Sequence, residues 1–476
     1  VPIVRTSLAD METPLSVYLK CAAKPYTYLL ESVQGGERFG RYSFIGLPSR
    51  MRLRVVRHQV FVERDEQPDE VYETSNPLEF IEQYQQKWKV APCPTLTGFC
   101  GGLAGYFSHD IVRYIEPKLD VNWFQNPIQT PDALLLLTTE LVVFDGLLGQ
   151  LHLVVYADPN EPDAYHQAEK RLDSLMDRLK DKLPETPMEP FGLGELEYLT
   201  PQNVFYEQVE RAKAFIRAGD VMQVVLSQCI HQRYEGSPLS LYRALRHMNP
   251  SPYMFYYDLG DFKLVGASPE ILVRLEQDTV VVRPLAGTRA RGKTEQEDQS
   301  LEAELKADPK EIAEHVMLID LGRNDVGRIA QSGSVKVSDI MVVERYSHVM
   351  HLVSQVVGKL KSGLNAWDVL KATFPAGTLS GAPKVRALEI IDELELHGRA
   401  VYGGAVGYLG FDGRMDLAIA IRTGVIHQGR LWVQAGAGIV ADSVPEMEWH
   451  ETENKAMAVL KAAEWASQGF FAKDPE

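Results

Sequence analysis

AVYGGAVGYLGFDGRMDLAIAIRTGVIHQGRLWVQAGAG, residues 400–438, decides the fold. Short apolar runs alternate with turn signals at Asp412-Gly413 and Gln428-Gly429, which predicts an antiparallel meander. Similar runs recur at 133–157 (ALLLLTTELVVFDGLLGQLHLVVYA, a hairpin turning near Asp145-Gly146), at 252–268 and at 270–287. Helical patterns separate them. The fold expected is therefore α+β: antiparallel β-sheets packed as a layered sandwich, helices outside, a cleft between the layers. No GxGxxG follows a strand and no Walker loop is present, which argues against dinucleotides and nucleoside triphosphates.

The meander runs on into WVQAGAGIVADSVPEMEWHETENK, 432–455. Gly436, Ala437 and Gly438 let the backbone approach a ligand closely and offer it amides. Ser443, Pro445 and Glu446 form a capping-box signature for a helix start. In that helix Glu448 and Glu451 leave one face. A second helix is expected over DPKEIAEHVMLIDL, 308–321, with Asp308 as N-cap and Pro309 at its first position. Glu311 and Glu314 share a face there, and Val316, Met317, Leu318 and Ile319 are expected to be mostly buried. One such pair usually marks a solvated helix face. Two pairs on capped helices could instead form one site for a hard divalent ion. Oxygen donors without Cys or paired His favour Mg²⁺ over Zn²⁺.

Working outward, residues 1–20 read as an irregular start and a short helix, and 26–63 as strands and turns. Pro77–Val90 reads as a helix, FCGGLAGYFSHD (99–110) as a glycine-rich strand pair, and Asp158–Leu183 as an amphipathic helix. PETPMEPFGLGE, 184–195, has the composition of a linker. It divides the chain into 1–190 and 191–476. With 476 residues and 45% apolar content the chain can bury a full core. A formal charge of −16 argues against nucleic acid or an anionic membrane as partner. Cys21, Cys93, Cys100 and Cys229 show no metal or CxxC spacing, so reduced thiols and a cytoplasmic location are expected. No apolar run has membrane-spanning length, and no leader-like segment opens the sequence at Val1.

Further residues could carry chemistry. Arg422 ends an apolar strand and must pair, for example with Asp416, or face a cleft. Tyr402, before Gly403-Gly404 in the first meander strand, is a core tyrosine or a ligand contact. Thr378 lies in a Gly- and Pro-rich loop. His351 could move protons if its strand, with Ser347 and Val353 on the same face, borders a cleft; His348 is a rival. Gly287 and Thr288 end a strand as a turn. The residues alone suggest a Mg²⁺-dependent enzyme acting on a small polycarboxylate.

The chain resembles the anthranilate synthase component I family of chorismate-utilising enzymes. The likeness covers nearly all of it, through LLES (29–32), AGDVMQVVLSQ (218–228), PYMFY (252–256), RPLAGTRARG (283–292), EIAEHVMLIDLGRND (311–325), FPAGTLSGAPK (374–384), IAIRTG (419–424) and AGAGIVADSVPEMEWHET (435–452). The resemblance implies Mg²⁺-dependent amination of chorismate by ammonia with loss of pyruvate, giving anthranilate, the first step of tryptophan biosynthesis. It implies that Glu314 and Glu451 bind Mg²⁺, with Glu311 and Glu448 supporting. Tyr402, Arg422 and Gly436–Gly438 would hold the enolpyruvyl carboxylate, lined by Gly287 and Thr288. His351 would assist proton transfer, with Thr378 close by.

Sister families differ at two places. Water-using relatives carry a general-base Lys where this chain has Gln223. Aminodeoxychorismate synthase component I, the alternative reading, carries a nucleophilic Lys where this chain has Ala286. The amino-terminal half would be regulatory, binding tryptophan as feedback inhibitor through Glu31, Ser32, Pro252, Tyr253 and Met254, with Val406 and Tyr408. No amidotransferase nucleophile motif is visible. Glutamine use would therefore need a separate amidotransferase subunit (component II), in a hetero-oligomer.

Overall fold

Two antiparallel sheets face each other, and helices cover their outer sides, in a computed structural model that describes residues 1–32, 40–93, 96, 98–121, 123–184, 189–346 and 349–470. Among the described residues each sheet has twelve strands, eleven on one path and one beside it: Gly381–Ala382 pairs with Gln223–Arg233 in the first sheet, and Lys336–Arg345 with Val349–Lys359 in the second. The first runs, edge to edge, through Pro2–Leu8, Gln150–Tyr156, Glu140–Asp145, Tyr42–Gly46, Thr27–Glu31, Tyr253–Asp258, Phe262–Ser268, Thr423–His427, Arg430–Ile439, Gln223–Arg233 and Glu197–Tyr198. The second runs through Leu285–Ala290, Val349–Lys359, Thr279–Val282, Ile271–Glu276, Met415–Ile419, Ala405–Gly410, Gly102–Phe107, Ala133–Thr138, Met51–Val56, Gln59–Arg64 and Glu70–Glu73. Tyr28, Tyr106, Phe255, Tyr257, Leu134 and Leu264 fill the space between the sheets. The outer cores lie under helices such as Pro238–Met248 and Pro445–Ser467 on the first sheet and Ala366–Thr373 on the second. The expected sandwich is the one found.

Among the described residues, strands from the two sides of residue 190 meet at two seams. Thr27–Glu31 pairs with Tyr253–Asp258 in the first sheet, and Gly102–Phe107 pairs with Ala405–Gly410 in the second. The amino-terminal side supplies five strands of each sheet and the carboxy-terminal side seven.

Several local expectations change. The residue 400–438 stretch is not one meander. Ala405–Gly410 and Met415–Ile419 form a hairpin in the second sheet, whereas Thr423–His427 and Arg430–Ile439 form one in the first. Residues 133–157 divide the same way: the hairpin is Glu140–Asp145 with Gln150–Tyr156, and Ala133–Thr138 belongs to the other sheet. Alternation fixes which side chains turn inward but not which layer a strand joins. Pro2–Leu8 is a strand, held by pairing with Gln150–Tyr156. The glycine-rich stretch near residue 100 yields one strand, Gly102–Phe107.

The helix starts are mixed. Asp308 caps Pro309–Ile329, accepting from the amides of Lys310 (2.9 Å) and Glu311 (3.4 Å). That helix is longer than expected, and Val316 faces solvent, because only one stripe of it meets the second sheet. The Ser443–Glu446 box does not form. Val444 is the N-cap of Pro445–Ser467, and Ser443 Oγ instead accepts from the Val440 amide at 3.0 Å.

Candidate active site

The chain passes between the sheets at two neighbouring crossings. Phe262–Ser268 leads into Ile271–Glu276 through Pro269-Glu270, and Met415–Ile419 leads into Thr423–His427 through Ala420–Arg422. The strands on either side pair with each other, Gly266 opposite Thr423 and Ile271 opposite Ala418. A cleft of about 990 Å³ opens at these crossings.

Arg422 lies in the cleft wall with φ +48°, a left-handed conformation uncommon for a side-chain-bearing residue. It follows the end of a strand, and the bend from one sheet to the other sets this backbone. Asp416 is not its partner: that carboxylate pairs with Arg274 and accepts from Tyr253 Oη. Arg422's charge faces Glu270 across the cleft, and burial pulls its guanidinium pKa below the usual value. Tyr402 is buried in the turn preceding Ala405–Gly410, not in a strand. Its hydroxyl lies 2.5 Å from where a Cβ on Gly436 would stand, so only glycine fits beneath it. Gly436 sits within Arg430–Ile439, opposite Ser227. Ala437 is fully buried and Gly438 lies under the Gln223 side chain, so of the three Gly436 lines the cleft.

Gly287 has φ +67° at a bulge in Leu285–Ala290, within the strand and not at its end. The bulge aims its carbonyl at His351 Nδ1, 2.9 Å away, and Thr288 Oγ1 is 3.1 Å from the same nitrogen. A carbonyl only accepts, so Nδ1 carries the hydrogen and Nε2 is left with its lone pair. Burial lowers the His351 pKa to about 4, so the ring is a neutral acceptor near neutral pH. Ser347 and His348 lie outside the described residues.

Glu311, Glu314 and Glu451 line the cleft together with Arg422. The two helices thus meet at one site. Burial raises the Glu314 pKa, and the charges of Glu311 and Glu451 raise it further. Burial likewise raises Glu448, which is not a cleft-lining residue and is offset by a Ser443 hydrogen bond. Cations already attend the group: Lys455 Nζ is 2.7 Å from Glu451, and Arg289 is 3.1 Å from Glu311. Among the described residues no three His, Cys, Asp or Glu side chains converge at ligating distance. The donors are oxygen only and repel one another, a set that fits a hard divalent cation.

Glu270 was missed by the sequence reading. It is buried in the first crossing, where the Ile419 amide donates to its carbonyl at 3.0 Å. Burial lifts its carboxyl pKa to about 7, against a hydrogen bond from Thr378 Oγ1 (3.0 Å) and the charges of Arg422 and Lys455. Thr378 occupies a one-turn helix, Gly377–Ser380, rather than an irregular loop. Glu270 sits between Pro269 and a strand, with no charge partner nearby in sequence, so only three-dimensional burial reveals it. Lys455, which also donates to Gly436 O at 2.9 Å, was missed too; its spacing of four from Glu451 was the available signal.

A second cavity, of about 290 Å³, straddles the first seam. All seven residues expected to hold an amino-acid inhibitor line it: Glu31, Ser32, Pro252, Tyr253, Met254, Val406 and Tyr408. Phe44 and Tyr408 in its wall pack edge-on, and Phe99 stacks on Tyr408 behind it at 4.3 Å between ring centres. The Glu31 carboxylate is engaged by Arg246 at 3.0 Å and by Tyr242 Oη.

The chorismate binding enzyme family matches residues 27–461. Anthranilate synthase component 1 of Neisseria gonorrhoeae is 54% identical over 476 residues, covering 98% of this chain and 96% of that one. The crystal structure of anthranilate synthase component I from Streptococcus pneumoniae superposes with a TM-score of 0.80 at 36% identity, over 90% of this chain and 95% of that one. The menaquinone-specific isochorismate synthase of Escherichia coli shares the fold, with a TM-score of 0.74 at 18% identity over 97% and 94% of the two chains. The chain is an enzyme of the chorismate binding family, in the branch represented by component 1 of anthranilate synthase.

Proposed function

We propose that this chain aminates chorismate with ammonia in a Mg²⁺-dependent reaction, releases pyruvate to give anthranilate, and is inhibited by tryptophan in the seam cavity. The observation that carries this reading is Ala286. It lines the cleft beside Gly287 and Thr288, where the alternative, aminodeoxychorismate synthase component I, would need an amine. A methyl group cannot attack, so the nucleophile must come from solution or from a partner. A separate glutamine amidotransferase subunit, component II, would supply ammonia from glutamine.

Each residue then has a task. Arg422, Tyr402 and the bare strand at Gly436 hold the enolpyruvyl carboxylate. Glu314 and Glu451, with Glu311 beside them and Glu448 behind, would hold Mg²⁺, which when bound neutralises charge on substrate oxygens as a Lewis acid. The ammonia lone pair bonds to ring carbon 2, the ring double bonds shift, the bond from carbon 4 to its hydroxyl breaks, and the new ammonium gives up a proton to solvent. Glu270, poised near pH 7, donates the proton with which that hydroxyl leaves as water. His351 Nε2 then takes the proton from carbon 2. The bond to the enolpyruvyl oxygen breaks, the ring becomes aromatic, and the departing enolpyruvate takes a proton at its methylene carbon to become pyruvate.

The test uses purified chain with chorismate, Mg²⁺ and ammonium. Anthranilate fluorescence and equimolar pyruvate are expected, with tryptophan suppressing both. With glutamine in place of ammonium no product is expected. An aminated product that retains its enolpyruvyl group would overturn the reading.

A further inference from the structure

Gln434 lines the cleft on the same face of Arg430–Ile439 as Gly436 and Gly438, and the amination mechanism gives it no task. A chain of one-way hydrogen bonds fixes its orientation. Arg399 can only donate. It grips Glu395 with Nε at 2.8 Å and Nη2 at 2.6 Å, fully inside the protein. The ion-paired Glu395 carboxylate accepts from the Ser227 amide at 2.8 Å and the Ser227 hydroxyl at 2.9 Å. With its proton committed to Glu395, Ser227 Oγ can only accept in turn. It does so from Gln434 Nε2, at 2.9 Å. The amide nitrogen is therefore held at the back, and Oε1 is the end presented to the cleft. Among the described residues no donor reaches that oxygen.

We infer that Gln434 Oε1 binds the attacking ammonia, accepting one of its N–H bonds, and that Ser227 and Glu395 are positioning residues for it. This rests on the ammonia-dependent reading above. Chorismate's carboxylates and ether oxygens only accept, so an amide oxygen repels them. The donors that enter this cleft are ammonia and the hydroxyl on carbon 4, and the departure of that hydroxyl is assigned to Glu270. A neutral acceptor also suits the task better than a carboxylate. A carboxylate would favour ammonium, whose lone pair is occupied by a proton, whereas an amide oxygen holds ammonia without rewarding protonation.

The test is steady-state kinetics of the full chain with ammonium varied at saturating chorismate, then the reverse. Gln434→Met keeps the shape and removes the acceptor. Its KM for ammonium should rise at least about fivefold, the effect of one lost hydrogen bond, with KM for chorismate within about twofold of wild type. Ser227→Ala frees the amide to turn and should raise the ammonium KM by a smaller factor without moving the chorismate KM. Unchanged tryptophan inhibition and melting temperature would show that both variants are folded. The inference falls if the ammonium KM is unmoved in Gln434→Met, or if the chorismate KM rises instead, which would assign Oε1 to the hydroxyl. Wild-type enzyme that makes no anthranilate from ammonium would instead sink the underlying function.

Discussion

Glu270 and His351 carry shifted pKa values that work in opposite directions on stability. The Glu270 carboxyl titrates near 7 when folded and near 4.5 when unfolded. Between those values the native state holds a proton that the unfolded state has released. Stability therefore falls as pH rises from about 4.5 to 7, by up to ~3 kcal/mol, and stays low above that. Glu270→Gln removes the cost. We expect it to melt at a higher temperature than wild type at pH 8 while losing ~100-fold or more in kcat, the scale of general acid catalysis. A variant that keeps its rate would exclude Glu270 as the proton donor. His351, lowered from 6.5 to about 4, acts on the acid side. Below pH 6.5 the unfolded state gains a proton that the buried ring resists, so stability drops as pH falls toward 4. His351→Gln should flatten that part of the stability curve and slow aromatisation more than pyruvate-independent substrate binding.

Among elements, the pair of acidic helices would hold the proposed Mg²⁺. Glu314 is pushed up first by burial and then by the charges of Glu311 and Glu451, so removing or balancing those charges should stabilise the native fold. Mg²⁺ is expected to raise the melting temperature, contributing about 2.7 kcal/mol at a hundredfold excess over its Kd. Glu314→Gln combined with Glu451→Gln should abolish this response even without substrate present. An unchanged Mg²⁺ shift in the double variant would place the ion elsewhere. The glycine strand gives a second test. Gly436→Ala meets the Tyr402 hydroxyl, and should raise KM for chorismate while leaving the Mg²⁺ shift intact. These elements were largely legible in sequence. Asp308-Pro309 announced one helix, and the alternation after residue 400 announced strands. What sequence could not supply was the layer each strand joins. Met415–Ile419 and Thr423–His427 look like neighbours in one sheet, yet the chain changes sheets between them. Capping by Ser443 failed for a related reason. A loop amide, Val440, took the hydroxyl first.

At the scale of the molecule, the two cavities differ in ownership. The cleft is lined entirely from Gln223 to Ala458, whereas the smaller cavity draws Leu30, Glu31, Ser32, Arg41, Tyr42, Phe44 and Gly98 from the first half and the rest from the second. One segment joins them: Asn249–Ser251 line the cleft, and Pro252–Phe255 line the seam. A ligand wedged in the seam would act on both halves at once, and this segment would carry the proposed inhibition to the cleft. Val406→Phe should fill the cavity. The tryptophan concentration for half-inhibition is then expected to rise more than about tenfold, with ammonium-dependent kcat little changed, because overpacking there costs only about 1–3 kcal/mol. Inhibition that persists at the original concentration would move the effector elsewhere. The continuous sheets also predict that residues 191–476 alone expose two raw strand edges, Tyr253–Asp258 and Ala405–Gly410, and aggregate rather than fold.

Arg422 sits in a backbone shape that glycine would adopt at ease and arginine adopts at a cost of about 1–3 kcal/mol. Replacing it with glycine relaxes the main chain, so the loss of the proposed anion binding and the gain in conformational comfort would arrive in the same substitution. Screens that select only for thermal robustness would therefore favour a dead enzyme at this position.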